Sequence, residues 1–234
     1  MLRGTVGLIC IVFLTLLFEA RVDAFILINE ILADPPTGIA GDANGDGVGS
    51  SNDDEFIELY NTGNQAVDLS GWSLSDATKS RHTFASNSLL SPRELLVIFG
   101  GGSPQLPGIN WQIASTGTLS LNNTADTVTV FDQNQQIIEQ VIYGGEAGHD
   151  QSIVRFPEGS DSSFIEHLSL PNANGLKYST GYFVNPPVLP AEPPAVVTPP
   201  PTTAVPEVPS LCYLGMGMPF MFLRRKWNKV KIFR

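Results

Sequence analysis

Residues 55–76, EFIELYNTGNQAVDLSGWSLSD, admit few folds. Two strand-length segments flank a polar turn, and Trp72 follows a Ser-Gly pair, so the stretch forms one sheet unit with an aromatic anchor. Phe56, Leu59, Val67, Leu69, Trp72 and Leu74 recur mostly at period two, with slips at the turns. Alternate side chains of a strand share a face, so these six are expected to line one core.

Similar short apolar segments recur along the chain: FILINEILA at 25–33, RHTF at 81–84, ELLVIFG at 94–100, TLSL at 118–121, TVTVFD at 127–132, QIIEQVIY at 136–143 and QSIVRF at 151–156. Asp34-Pro35-Pro36 stops the first, because proline supplies no ladder donor. Asp132-Gln133-Asn134-Gln135 is expected to close a hairpin. About nine or ten short strands with turn signals between them predict an all-β, two-sheet sandwich. Gly at 22 and Pro at 18 agree with a turn-rich chain, and a hydrophobic content of 42% suffices for a core. Residues 157–183 lose periodicity and are expected to strap across the sandwich as ordered loop.

The central motifs resemble the lamin tail domain over roughly residues 25–185. They include Ile28-Asn29-Glu30-Ile31, Glu55-Phe56-Ile57-Glu58-Leu59-Tyr60-Asn61 and Asp68-Leu69-Ser70-Gly71-Trp72-Ser73-Leu74-Ser75-Asp76. The pattern continues through Leu119-Ser120-Leu121-Asn122, Asp126–Asp132 and Gln140-Val141-Ile142-Tyr143. The resemblance implies an immunoglobulin-like sandwich used for binding or scaffolding, and in bacteria a secreted or surface protein. Three positions depart from the family: Arg93 and Gln135 stand where glycine is usual, and Thr180 replaces a proline.

The termini differ in kind from this region. Residues 1–24 carry Arg3, an apolar run from Thr5 to Phe18 and small residues at Val22 and Ala24, which predicts a signal peptide cut before Phe25. Residues 186–209 form a proline-rich spacer, expected to be extended and semi-rigid. Residues 210–234 hold an apolar run followed by Arg224, Arg225, Lys226, Lys229, Lys231 and Arg234, the shape of a segment that stops in a membrane. With Val205-Pro206-Glu207-Val208-Pro209-Ser210 ahead of it, this end resembles a PEP-CTERM sorting signal whose second proline is displaced by one position. That resemblance implies processing by an exosortase-type enzyme and a place on the cell surface or in the extracellular matrix of a bacterium. A degenerate remnant and a simple tail anchor are the alternatives.

Charge excludes one class of partner. Residues 25–204 carry 20 acidic against 5 basic side chains, and an acidic globule repels phosphate backbones, so nucleic-acid binding is not expected. Cys10 and Cys212 both lie in terminal apolar segments, which leaves the expected mature core without a disulfide or a thiol nucleophile.

The sharpest local motif is GDANGDGVGSSNDDE, within an insertion at 38–54. Set against a calcium loop of EF-hand or dockerin type, Asp42, Asn44 and Asp46 take positions 1, 3 and 5, Gly47 the turn at 6, Val48 a carbonyl at 7, Ser50 position 9 and Asp53 position 12. Short oxygen side chains at alternate positions converge on one hard cation while glycine lets the loop turn. Asp53 is shorter than the usual bidentate glutamate and the neighbours are strands, so one Ca²⁺ of modest affinity, ~10⁻⁴ M, is expected. The alternative is an acidic turn that is simply flexible.

Other candidates are weaker. Glu55 and Glu58 are three apart on a strand and so face opposite ways, which argues against a paired carboxylate mechanism. Glu30, Glu55 and Glu58 are expected to hold backbone by hydrogen bonds. His82, His149 and His167 lack metal-ligand spacing, and Ser70 is not in a nucleophile elbow. Trp72 is expected in the core, and Trp111 could be an exposed sugar platform. The expectation is therefore an exported, non-catalytic binding or scaffolding module, ordered by calcium and anchored or sorted to the envelope or matrix. A calcium-dependent exopolysaccharide-binding protein is one alternative. The other is a hydrolase accessory or weak hydrolase with a polar cleft at Glu30, Glu58 or His149.

Overall fold

β-Branched and aliphatic residues dominate 26–32 and 56–59, and such side chains suit a pleated, packed surface. The two segments form the antiparallel centre of the larger sheet. The computed structural model describes residues 26–188, so the expected signal peptide, the proline-rich spacer from residue 189 onward and the basic C-terminal segment lie outside the described residues.

Twelve strands follow in chain order: β1 Ile26–Leu32, β2 Phe56–Asn61, β3 Val67–Asp68, β4 Ser73–Ser75, β5 Ser80–Thr83, β6 Leu89–Leu90, β7 Leu95–Phe99, β8 Trp111–Ile113, β9 Asp126–Phe131, β10 Ile137–Tyr143, β11 Ile153–Arg155 and β12 Phe164–Glu166. Six form one sheet in the order β12-β11-β1-β2-β7-β8, four form a second in the order β10-β9-β4-β5, and β3 pairs with β6. The chain is thus the all-β, immunoglobulin-like sandwich that its sequence predicts.

Ile28, Ile57, Leu59 and Ile98 from the larger sheet meet Leu74, Val128, Val130 and Val141 from the smaller one, with Trp72 and Phe84 in the same core. Phe56 is not among them. It belongs to a second cluster with Leu32, Val97 and Phe99 on the opposite face of the larger sheet, where Trp111 and Tyr178 cover it. Phe56 and Leu59 are an odd number of residues apart, so one strand cannot point both into the same core. The larger sheet is buried on both faces, because residues 157–185 pack over its outside, where Leu170 and Ala173 meet Val154 of β11.

Three further departures from the sequence reading have local causes. Residues 118–121 form no strand, because Ser120 sits at φ 51°, outside the extended range that a ladder needs. Trp111–Ile113 does form one, parallel to β7 with Val97 opposite Trp111. The strap from 157 contains β12, with Val154 opposite Ile165.

Arg93 and Gln135, at usual glycine positions of the family, adopt φ of 61° and 62°. An L-residue pays in the left-handed region what glycine does not. Arg93→Gly and Gln135→Gly should therefore each stabilise the fold by about 0.5–1 kcal/mol, read as a raised urea midpoint at unchanged slope. A lowered midpoint would show that the side chains contribute more than the strain costs.

Candidate functional site

The insertion between β1 and β2 is held by its own side chains. Asp42 accepts the backbone N–H of Asp46 at 3.0 Å and of Gly47 at 2.9 Å. Asn44 Oδ1 accepts the Asp46 N–H at 2.9 Å. Asp46 accepts the N–H of Val48 at 2.9 Å and, across the molecule, of Ser103 at 3.0 Å. Ser50 Oγ accepts the Asp53 N–H at 3.1 Å. Such side-chain to backbone bonds are how Asp, Asn and Ser fold tight turns.

Asn44, Asp46 and Asp53 also share a neighbour outside the loop. A Cβ on Gly102 would collide with Asn44 and Asp46, and one on Gly101 with Asp53. The Gly100–Gly102 turn therefore lets three polar side chains of the loop close onto the end of β7. Asp42 is tied to its own turn instead, and Val48 exposes its side chain at the loop tip. Asp46 is held below the usual carboxylate range by the N–H groups of Ser103 and Val48.

One organising residue escaped the sequence reading. Asp54 is fully buried and accepts the N–H of Asn44 at 2.9 Å and of Ser50 at 2.7 Å, closing the loop at its base. Burial pushes its pKa up despite those donors. The doubled Asp53-Asp54 was the available signal, since two adjacent carboxylates on one turn point different ways.

The donor types suit a hard cation, being oxygens of Asp, Asn and Ser. Their present arrangement is a hydrogen-bonded turn. Among the described residues, no three His, Cys, Asp or Glu side chains converge closely enough to hold a metal ion. A bound ion would have to draw on lone pairs left over by the turn and bring the loop carboxylates closer together.

The other carboxylates are structural. Glu30 and Glu58 lie opposite each other on β1 and β2 and are fully buried beneath the strap. Glu30 accepts Ser152 Oγ at 2.6 Å, the Ser179 N–H at 2.9 Å and Ser179 Oγ at 2.6 Å. Glu58 accepts Asn29 Nδ2 at 2.8 Å and the Gly181 N–H at 2.8 Å. Burial, then the neighbouring Glu30, push the Glu58 pKa well above normal. Glu158, unnoticed in the sequence, accepts the N–H of Val184 at 3.2 Å and of Asn185 at 2.5 Å. Glu30 and Glu58 thus tie residues 179–181 to the sheet, while Glu158 holds residues 184 and 185 within the strap.

His149 is exposed and contacts Glu166 at 2.6 Å. His82 bonds Gln112 at 3.0 Å and the Ser115 N–H at 3.2 Å, and His167 bonds the Leu176 carbonyl at 2.8 Å. Trp111 is half-buried and packs against the Phe56 cluster.

Glu55 faces the other way, toward the apolar core and the end of β9. Burial lifts its pKa to about 8 against the pull of the Leu121 and Ser120 N–H groups and Arg81.

A family model described as the lamin tail domain matches residues 21–145 of the 234. The chain belongs to the lamin tail domain family. These are immunoglobulin-like, non-enzymatic binding or scaffold domains. No curated protein matches the chain as a relative. The lamin tail domain here continues past the matched region, because β11 pairs with β1 at Glu30 and Val154 and carries the sheet on to β12.

Proposed function

We propose that this lamin tail domain protein is an exported scaffolding module of the bacterial envelope or extracellular matrix, with a calcium-responsive loop at 42–54. The observation that carries the loop's role is its charge balance. Asp42, Asp46, Asp53 and Asp54 share one turn, and no ion pair among the described residues offsets any of them. A divalent cation held by Asp42, Asn44, Asp46, the Val48 carbonyl, Ser50 and Asp53 would neutralise that charge and fix the insertion against the Gly100–Gly102 turn.

The buried carboxylates support a non-catalytic role. Glu30 and Glu58 have both oxygens engaged with protein donors. Export and anchoring rest on the terminal sequences. Residues 1–24 direct secretion and residues 210–234, which follow the proline-rich segment of 186–209, sort or anchor the protein, with exosortase-type cleavage as the processing step.

Calorimetric titration of Ca²⁺ into the full chain tests the loop, with an Asp42→Ala/Asp46→Ala variant beside it. One saturable event near ~10⁻⁴ M, with a raised melting temperature, is expected in the parent and lost in the variant. No heat at millimolar calcium with an unchanged melting temperature would return the loop to a self-sufficient turn.

A further inference from the structure

The smaller sheet presents a second surface that the scaffold reading does not use. Its inner side chains, Leu74, Val128, Val130 and Val141, fill the core. The opposite parity of β4, β9 and β10 lines a groove of about 460 Å³ with Ser73, Ser75, Thr127, Phe131 and Gln140, and Lys79 stands at its rim. We propose that this groove binds a neutral polysaccharide chain.

Three observations favour that ligand. First, the groove carries unspent hydrogen-bonding capacity: among the described residues, the hydroxyls of Ser73, Ser75 and Thr127 have no protein partner. Hydroxyl and amide groups both donate and accept, which matches the paired hydroxyls of a sugar ring. Second, Phe131 is half-buried and adds an apolar surface on which the C–H face of a pyranose can rest. Third, the groove is nearly uncharged in an acidic molecule. Its single carboxylate, Asp76, is buried and bound to Arg81 Nε at 2.7 Å. A polyanion would meet the negative field of the whole domain, and an apolar peptide would leave the hydroxyls unpaired.

This deepens the scaffold reading by naming what the module would hold, and it does not depend on the calcium loop. The test applies the full chain to an array of neutral and acidic oligosaccharides in the presence of a calcium chelator. Affinity for the best neutral ligand is then measured for four variants. Neutral glycans should be retained. Thr127→Val and Gln140→Ala, both at the surface, should weaken binding several-fold at unchanged urea midpoint, and Phe131→Ala by about tenfold. Asp42→Ala/Asp46→Ala should bind as the parent does. Retention of acidic glycans alone, of none, or of neutral glycans with Thr127→Val and Gln140→Ala at parental affinity would overturn the proposal. Loss on chelation alone would place recognition at the loop.

Discussion

Arg155→Ala should cost about 3–5 kcal/mol of stability, the largest single-residue effect in the domain outside its apolar core. Arg155 is buried on β11 and all three of its guanidinium nitrogens are engaged. Nε donates to the Ile28 carbonyl at 2.8 Å, Nη2 to Glu139 at 2.6 Å, and Nη1 to the Ser162 carbonyl at 2.5 Å and to Asp161 at 3.2 Å. It also lies 4.8 Å from the Phe164 ring centroid. These contacts bring β1, β10 and the strap onto one group. Removing it leaves Glu139 buried without its counter-charge, and an unpaired buried ion costs more than the lost bonds alone. Arg155→Lys should recover little, since an ammonium cannot serve four partners in a planar fork. Chemical denaturation of both variants measures this. A loss under about 1 kcal/mol would mean that the cluster is solvated like a surface pair.

The domain should be more stable at pH 5 than at pH 8. Burial raises Glu55 to about 8 and moves Glu58, Glu139, Glu158 and Asp54 in the same direction. In the window from the ordinary carboxylate value of 4.5 up to about 8, the folded state keeps the Glu55 proton that the unfolded chain releases. The native state therefore binds more protons there, and stability falls as pH rises through the window. At 1.36 kcal/mol per pKa unit, Glu55 alone contributes a few kcal/mol to that slope. The opposing groups act lower down. Asp76 and Asp132 are depressed, so their contribution is present above the ordinary aspartate value and is lost as pH falls through their folded pKa. The urea midpoint measured between pH 4.5 and 8.5 reports the sum. Glu55→Gln, which mimics the protonated acid, should flatten the slope and so separate it from the general easing of repulsion on an acidic surface. A midpoint that is flat or rises toward pH 8 would contradict the burial argument.

What could be read from the sequence depended on whether a signal was local. The strands of the central unit, the 132–135 hairpin and the core role of Trp72 all follow from alternation and turn residues a few positions apart. The second core did not. Phe56, Val97 and Phe99 are covered by Trp111 and Tyr178, and nothing in an aperiodic stretch announces which face it will cross. For the same reason Glu30 and Glu58 could be read as hydrogen-bonding residues while their partners at Ser152, Ser179 and Gly181 could not. TLSL has strand composition, yet the left-handed backbone at Ser120 breaks the extended run a ladder needs. The parallel β8 has three residues and no hairpin to mark it. In the loop, spacing identified the oxygen donors but not Asp54, whose importance comes from being buried.

Glu30 and Glu58 face each other across β1 and β2, beside apolar residues of the opposite parity. If either strand slipped by one residue while folding, its carboxylate would enter the apolar space between the sheets and an isoleucine would face Ser179 or Gly181. Slippage in a strand apolar on both sides is ordinarily cheap, because either parity offers a greasy face. Here a misaligned pairing strands an acid away from its donors. The two glutamates thus act as keys that admit a single alignment of the central strands, and Gln in their place should retain the lock where Leu would release it.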